Sequence, residues 1–344
     1  MEGEDEQQTV RTVRSFLTSN AVVTVGSPPE YDEVAGDLSN GPGILNTSAD
    51  CERNSIDQTS TPNDTLGRVS TGSPRMGITL FLKNGVNFQQ NESPVLLNVP
   101  IKWSRDEIEN VVKMMFEELN VPALYLLDQP LASLYGIGVV TGVVIDIGHT
   151  STDITPVIDN VILHAAQKSI PVGGKDIDDV LKRQFKKPQS FITELKERSC
   201  VVMTKDPIQP VTLTVQNESV TIGDLRYKCC EVLFYPYLIG KNCMGIHEAL
   251  KLVINSTSEP SRRVALWESI VLCGGTSNLQ GLKERFEYET SKLIASSETS
   301  NEYQPKEIKW LKIPEYMTMY KERPADVTFL GGAIVSKVLF INPS

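Results

Sequence analysis

The segment GVVIDIGHTSTDITPV, residues 142–157, places a carboxylate, Asp146, inside an apolar run that predicts a buried strand. Burying an unpaired carboxylate costs several kcal/mol, which raises the question of what Asp146 does there. A turn with Gly148, His149 and Thr150 follows at once. Because glycine lets the backbone approach a ligand and direct N–H groups at an anion, this pattern indicates a candidate phosphate or nucleotide site.

Two further glycine turns are predicted at Gly274–Gly275 and Gly331–Gly332, where each pair follows an apolar run that predicts a strand and precedes a helical pattern. The N-terminus of a helix carries a partial positive charge, which adds to the attraction for phosphate. Glycine turns also serve packing alone, so both interpretations stay open for each pair taken by itself. The role of His149 also stays open, because a single histidine in a turn is either a surface residue or a ligand.

The composition excludes several classes of protein. The chain has 344 residues, is 40% hydrophobic and carries a formal net charge of -10, which argues against direct binding of nucleic acid. No apolar run reaches membrane-spanning length, and the N-terminal MEGEDEQQ is acidic rather than signal-like. The six cysteines are scattered and lack the spacing of a metal motif. Together with the acidic N-terminal segment, this pattern predicts a reducing nuclear or cytosolic compartment.

The organisation of the chain changes near residue 76. Residues 1–75 are acidic and rich in Ser, Thr and Pro, which predicts a largely disordered segment. Beyond them, strand-like and helical patterns alternate, which predicts an α/β fold. A helix is expected to begin after Ser104, with Glu107 completing a capping box. The predicted strands include GITLFLKN, PVLLNVP, VPALYLLD and ILHAAQKSIPV, and the predicted helices include GGKDIDDVLKRQF and ITELKERSCVV.

Several segments, taken in order along the chain, resemble the actin family. Gln129 stands 17 residues before Asp146, which is the spacing found in actin between the catalytic glutamine and the second phosphate-binding loop. The similar segments lie within residues 94–340 and are VPALYLLDQPLASLYGIGVVTGVVIDIGHTST, ELKERSCVV, LFYPYLIGKNCMGIHEAL, SIVLCGGTSNLQGLKERF and TFLGGAIVSKVLF. Their number and order make the resemblance far more specific than any single glycine turn.

The resemblance implies an α/β, actin-like ATPase fold of the ribonuclease H-like type, with two lobes around a nucleotide cleft and an incomplete first lobe. Residues 76–136 and 325–344 would form the partial first lobe. Residues 137–172 and 241–324 would form the core of the second lobe, and residues 173–240 its small subdomain. The sequence ends without the family's final helices, so a truncated version of the family is expected.

The resemblance also assigns roles to individual positions. In the family, the residue at Asp146 belongs to a carboxylate pair around nucleotide-bound Mg²⁺, which it would contact through water. Gln129 lies where the family positions the attacking water, so both residues occupy vestigial catalytic positions. The implied nucleotide-binding positions are Gly148, His149, Thr150, Lys196, Glu197, Gly274, Gly275 and Thr276. ATP with Mg²⁺ is the implied cofactor, with no cofactor as the alternative, and Lys196 and Glu197 have a second interpretation as a solvated helix face.

The pattern departs from the family at both phosphate turns. The candidate for the first turn is AVVTVGSPPEY, in which Thr24 stands in place of the carboxylate, and Pro28 and Pro29 remove two backbone donors. Alternatively, the chain has no first turn. In the second turn, His149 replaces aspartate and Thr150 replaces glycine. Because the transition state would lose charges and donors that stabilise it, ATP hydrolysis is not expected.

Within the family, the segments SIPVGGKDIDDVLKRQF and IKWLKIPEYMTMYKERPADVTFLGGAIVSKVLFINP are most similar to divergent nuclear actin-related proteins, in particular the fungal actin-related protein 9 group. This likeness implies a subunit of SWI/SNF-type and RSC-type chromatin remodellers. Its partners would be a second actin-related protein and the helicase-SANT-associated (HSA) helix of the remodeller ATPase, with nucleosomes contacted only indirectly and no membrane. The alternative is a cytoskeletal, ATP-binding, polymerising actin-like protein, which would place the chain in the cytoplasm instead of the nucleus.

Overall fold

Strands and helices alternate along the part of the chain that the structure describes. The structure is a computed structural model and describes residues 21–25, 68–69, 94–202, 209–257, 259–295, 308–315, 317 and 323–341. The strands are β1 (Ala21–Val25), β2 (Arg68–Val69), β3 (Val95–Val99), β4 (Leu124–Asp128), β5 (Gly142–Ile147), β6 (Thr152–Ile158), β7 (Val161–Ile162), β8 (Lys168–Ile170), β9 (Val211–Val215), β10 (Glu218–Ile222) and β11 (Ile270–Cys273). The helices are α1 (Arg105–Lys113), α2 (Gln129–Ile137), α3 (Gly174–Phe185), α4 (Gln189–Ser199), α5 (Leu225–Lys228), α6 (Ile246–Asn255), α7 (Pro260–Trp267), α8 (Leu282–Ala295) and α9 (Val327–Ile341). Short 3-10 segments lie at Cys229–Leu233, Pro236–Ile239, Gly275–Asn278 and Pro324–Asp326.

The first sheet is parallel throughout and has the order β2-β1-β3-β4. Its central strand β3 is buried along its whole length, which suits a continuous apolar run covered on both faces. Helix α1 covers one face, and its predicted capping box is confirmed. The Ser104 N–H donates to Glu107 Oε2 at 2.7 Å, and the Glu107 N–H donates to Ser104 Oγ at 3.3 Å.

The second sheet has the order β11-β5-β6-β7, with β8 paired to β6. Strands β11 and β5 are parallel, while β5 and β6 form an antiparallel hairpin. The single strand predicted for ILHAAQKSIPV is wrong. It is interrupted between β7 and β8 by a turn, because the N–H groups of Ala166 and Gln167 both donate to the Leu163 carbonyl.

A large apolar core extends from the second sheet into the layers that cover it. Helices α3, α4 and α6 and the β9–β10 hairpin all contribute buried side chains to this core. Residues from both the predicted second-lobe core and the predicted small subdomain belong to this one core. The boundary between those two regions stays a prediction. Among the helices of the described residues, none combines the length and apolar composition needed to cross a bilayer.

Helices α2 and α9 pack against each other between the two sheets. Their apolar side chains contact Leu96 of the first sheet and Val144 of the second, so this helix pair connects the two halves of the molecule. The strand and glycine turn predicted at Gly331–Gly332 are wrong, because residues 327–341 form one helix. A Cβ atom on Gly331 would lie 1.6 Å from the Ala132 carbonyl oxygen. Gly331 therefore allows the backbones of α2 and α9 to touch, and Gly332 leaves room for the Asn98 side chain of β3.

Most of residues 1–75 lies outside the described residues, and so does the strand predicted at GITLFLKN. Within that N-terminal segment, β1 and β2 pair with the first sheet. Strand β1 lies parallel to β3, with Thr24 opposite Asn98. The candidate for the first phosphate turn thus follows a strand of the first sheet.

Candidate functional site

The carboxyl ends of β5 and β11 bring two glycine turns to the same edge of the second sheet. The strands are parallel and pair Cys273 with Asp146, so Gly148 and Gly274 follow at matching heights. Gly274 has a φ of 88°, and a Cβ atom there would lie 2.3 Å from Asp146 Oδ1. Only glycine fits this approach, because both the backbone conformation and the neighbouring carboxylate exclude a side chain.

Hydrogen bonds join the turn at Gly148, His149 and Thr150, which is the predicted second phosphate turn, to two segments that lie next to it in space. The Thr276 hydroxyl donates to the Gly148 carbonyl oxygen at 2.9 Å, and the Gly174 N–H donates to the same oxygen at 3.0 Å. The Lys175 N–H donates to the His149 carbonyl oxygen at 2.6 Å. The turn is therefore held between the start of α3 and the 3-10 segment that contains Gly275 and Thr276, although these segments are far apart in sequence.

A cleft lies beside this edge, between the first sheet and the β5–β6 hairpin. Gln129, at the start of α2, lines it together with Asp146 on β5. Asp153 on β6 lines the same cleft and is the antiparallel pairing partner of Asp146. The structure thus brings the two predicted catalytic positions together and adds a second carboxylate to them.

Lys102 crosses the cleft from the β3–α1 loop to the β5–β6 hairpin. Its ammonium donates to Ser151 Oγ at 2.7 Å and lies 3.7 Å from Asp153 Oδ2. Both side chains of the ion pair are 30% exposed, so the pair contributes no more than about 1 kcal/mol. A cation of the protein itself therefore contacts the second phosphate turn.

Lys196 is held by a buried acid on the neighbouring helix. Its ammonium lies 2.8 Å from Asp178 Oδ1, whose side chain is 1% exposed, and donates to the Gly174 carbonyl oxygen at 3.3 Å. A Cβ atom on Gly174 would contact both Thr276 Oγ1 and the Lys196 ammonium, which places these groups side by side. Glu197 is exposed on α4. Of the two predicted residues Lys196 and Glu197, it is therefore Lys196 that lies beside the glycine turns.

The two replaced residues of the second turn differ in their surroundings. His149 occupies an exposed position and Thr150 a partly buried one. Partial removal of the His149 ring from water, together with the nearby Lys196 ammonium, lowers the pKa of the imidazole below its ordinary value. The neutral imidazole is therefore favoured, which leaves this position without the negative charge that aspartate would carry.

Sequence reasoning missed Lys102, Asp153 and Asp178. A signal for Asp153 was present, because a hairpin centred on the turn pairs it with Asp146 and keeps both side chains on one face. Asp178 is an apolar-face position of α3 occupied by an acid, which could have suggested a buried cation partner. Lys102 gave no signal, since its contacts depend on how the two sheets are arranged.

Comparisons of the sequence with known proteins identify the family to which it is similar. The family model described as actin matches residues 78–212 and 193–338. Actin-related protein 7 of Oryza sativa subsp. indica is 31% identical over 267 residues, which cover 73% of this chain and 71% of the relative. Actin-related protein 7 of Arabidopsis thaliana is 31% identical over 265 residues, with 73% and 70% covered. Centractin of Schizosaccharomyces pombe is 29% identical over 280 residues, with 75% and 69% covered.

Two sheets around a cleft, with glycine turns at the edge of the second sheet, define an α/β protein of the actin-like ATPase fold. The chain belongs to the actin family and is an actin-related protein. The predicted family and fold class are thereby confirmed. The narrower likeness to the actin-related protein 9 group is not singled out, since the plant relatives carry the name actin-related protein 7.

Proposed function

We propose that this protein is a non-catalytic actin-related subunit of a SWI/SNF- or RSC-type chromatin-remodelling complex in the nucleus. It would bind the HSA helix of the remodeller ATPase together with a second actin-related protein. Membership of the actin family and similarity to actin-related proteins support this assignment. The likeness of the segments at residues 169–185 and 308–343 to nuclear actin-related proteins supports the choice of this type of complex.

The observation that carries the non-catalytic part of the proposal is the composition of β1. This strand lies next to β3, where the first phosphate turn would begin, and its residues AVVTV include no carboxylate. A hydrolytic site of this family uses a carboxylate pair around hydrated Mg²⁺. Asp146 fits one half of that pair, while Thr24 supplies no charge for the other half.

Nucleotide binding without turnover remains compatible with the second half of the cleft. Gly148, Gly274 and Thr276 would approach the nucleotide, and Lys196 lies beside them. Mg²⁺, when present with ATP, would supply charge neutralisation for the phosphates. Lys102 already provides a cation near the second turn without a bound metal ion.

We expect no ATP turnover by the purified full-length chain above that of the Gln129→Ala variant. Loss of one preorganised charge or donor costs about 10²–10³-fold in rate, and this site lacks a carboxylate and has two altered turn residues. Release of phosphate from ATP with Mg²⁺ provides the measurement. Turnover in the unmodified chain that the Gln129→Ala substitution abolishes would contradict the non-catalytic assignment.

Affinity purification from nuclear extract tests the assembly. The full-length tagged chain should recover a remodeller ATPase and a second actin-related protein in stoichiometric amounts. Recovery should be lost when the ATPase lacks its HSA segment, which is the matched control. Equal recovery with and without that segment, or no remodeller at all, would refute the proposal.

Similarity to centractin favours a second candidate, a cytoskeletal protein that binds ATP and polymerises. Salt-induced polymerisation in the presence of ATP and Mg²⁺, followed by sedimentation, distinguishes the two. Filaments that exclude remodeller subunits would favour the second candidate. A chain that stays in the supernatant under conditions that polymerise actin would favour the first.

A further inference from the structure

Three cysteines that are separated in sequence meet in the core beside α4. Cys200 follows α4 directly, and Cys229 and Cys230 begin the 3-10 segment after α5. The sulfur atoms of Cys200 and Cys229 lie 3.5 Å apart, those of Cys229 and Cys230 lie 3.9 Å apart, and all three are within 4.8 Å of one another. Their residues are 5%, 0% and 0% exposed, so the cluster is closed to bulk water.

The backbone around the cluster fixes its position from both sides. The Cys200 N–H donates to the Lys196 carbonyl oxygen, and the Val201 N–H donates to the Arg226 carbonyl oxygen. The Arg226 guanidinium returns a hydrogen bond to the Ser199 carbonyl oxygen at 2.9 Å. The end of α4 and the segment that carries the two adjacent cysteines are therefore held together independently of the thiols.

The spacing of the sulfur atoms suits a shared metal ion better than a disulfide. A disulfide requires about 2.05 Å between sulfur atoms, much less than the observed separations. Thiolate ligands about 2.3 Å from one ion lie about 3.8 Å apart in tetrahedral geometry and about 4.0 Å apart in a trigonal plane. The Cys200–Cys229 and Cys229–Cys230 separations thus lie within about 0.5 Å of those that a shared ion requires.

We propose that Cys200, Cys229 and Cys230 form a three-thiolate site for one soft monovalent ion of the Cu⁺ class. Thiolates select soft ions over Mg²⁺ or Ca²⁺. Among the described residues, no fourth histidine, cysteine or carboxylate joins the cluster, which favours three-coordinate binding. On binding, sulfur–metal bonds replace the S–H bonds, and the thiol protons pass to the solvent.

Positive charge lies next to the cluster. The Arg226 guanidinium donates to the carbonyl oxygen of Ser199, the residue directly before Cys200, and would offset part of the negative charge of the bound thiolates.

Titration of the full-length chain with Cu⁺ under anaerobic, reducing conditions tests the site. We expect one equivalent to be bound, with a sulfur-to-metal charge-transfer band in the ultraviolet, and its affinity to be measured against a competing chelator. The Cys230→Ala variant should bind at least about tenfold more weakly. Cys243→Ala is the matched control, because Cys243 lies outside the cluster, and it should bind as the unmodified chain does.

Binding should also raise the thermal midpoint of the unmodified chain, since an ion that binds only the folded state stabilises it. Circular dichroism of each variant separates loss of the site from loss of the fold, and Cys200→Ser provides a second variant should Cys230→Ala not fold. Absence of a stoichiometric charge-transfer band in the unmodified chain would overturn the proposal. Equal affinities in the Cys230→Ala and Cys243→Ala variants would overturn it as well.

Discussion

The Arg285→Ala substitution is expected to lower the free energy of unfolding by about 3–5 kcal/mol, the range found when one partner of a buried ion pair is removed. Arg285 on α8 is 7% exposed and donates to both oxygens of Glu231, at 3.0 and 2.9 Å. It also donates to Glu289 at 2.8 Å and lies over the Phe234 ring. Alanine would leave two carboxylates in the interior without their shared cation.

The ionisation of Glu289 shows why this loss is costly. Burial by itself would raise the pKa of the carboxyl, but Arg285, the Tyr235 hydroxyl and Lys292 outweigh burial and lower it. Glu289 is therefore charged in the folded protein at neutral pH, and its contribution to stability is lost as the pH falls through its folded-state pKa. In the Arg285→Ala variant, the pKa of the Glu289 carboxyl should be higher than in the unmodified chain. The variant should therefore lose less stability than the unmodified chain as the pH falls.

Urea denaturation of the unmodified chain and of the variant measures the difference. Arg105→Ala is the matched control, since Arg105 makes an exposed pair with Glu109 at 2.9 Å and its side chain is 90% exposed. That control should change stability by no more than about 0.5 kcal/mol. A similar small change for Arg285→Ala would show that the interior charges find water or other partners.

The elements of the fold were largely predictable because local signals agreed with tertiary packing. The capping box at Ser104 began α1 as expected, and the apolar runs of β3 and β5 became buried strands. The prediction failed at Gly331–Gly332 because the short apolar run before the two glycines has no periodicity that separates a buried strand from a buried part of a helix. Tertiary contacts explain these glycines, because Gly331 lies against the backbone of α2, and a Cβ atom on Gly332 would lie 2.6 Å from the Asn98 side chain on β3.

The candidate site was predictable to the extent that it depends on strand ends. Asp146 and Gly274 follow from two apolar strands, and parallel pairing brings them together. The partners that set the charge of the site could not be found in this way, because Lys102 reaches the β5–β6 hairpin from the other sheet. The cysteine cluster could not be predicted from the sequence for the same reason, because tertiary packing alone brings Cys200 to Cys229.

The second large effect is expected at the contact between α2 and α9. A Cβ atom on Gly331 would lie 1.6 Å from the Ala132 carbonyl oxygen and 2.8 Å from the Gly136 backbone nitrogen. Neither neighbour is a side chain that can rotate away, so the helices must separate. Gly331→Ala should therefore destabilise the protein by about 2–3 kcal/mol, as overpacking does, although alanine by itself favours a helix by about 1 kcal/mol over glycine.

The consequence should extend to the cleft, because α2 begins at Gln129 and the helix pair connects the two sheets. Hydrogen exchange should accelerate in α2 and α9 more than in α3, which does not share the contact. Gly223→Ala is the matched control, since a Cβ atom there meets nothing within 4 Å, and it should stay within about 0.5 kcal/mol of the unmodified chain. Equal stabilities of the two alanine variants would mean that α2 and α9 are not in backbone contact, and that the link between the two sheets is formed by side chains that can repack.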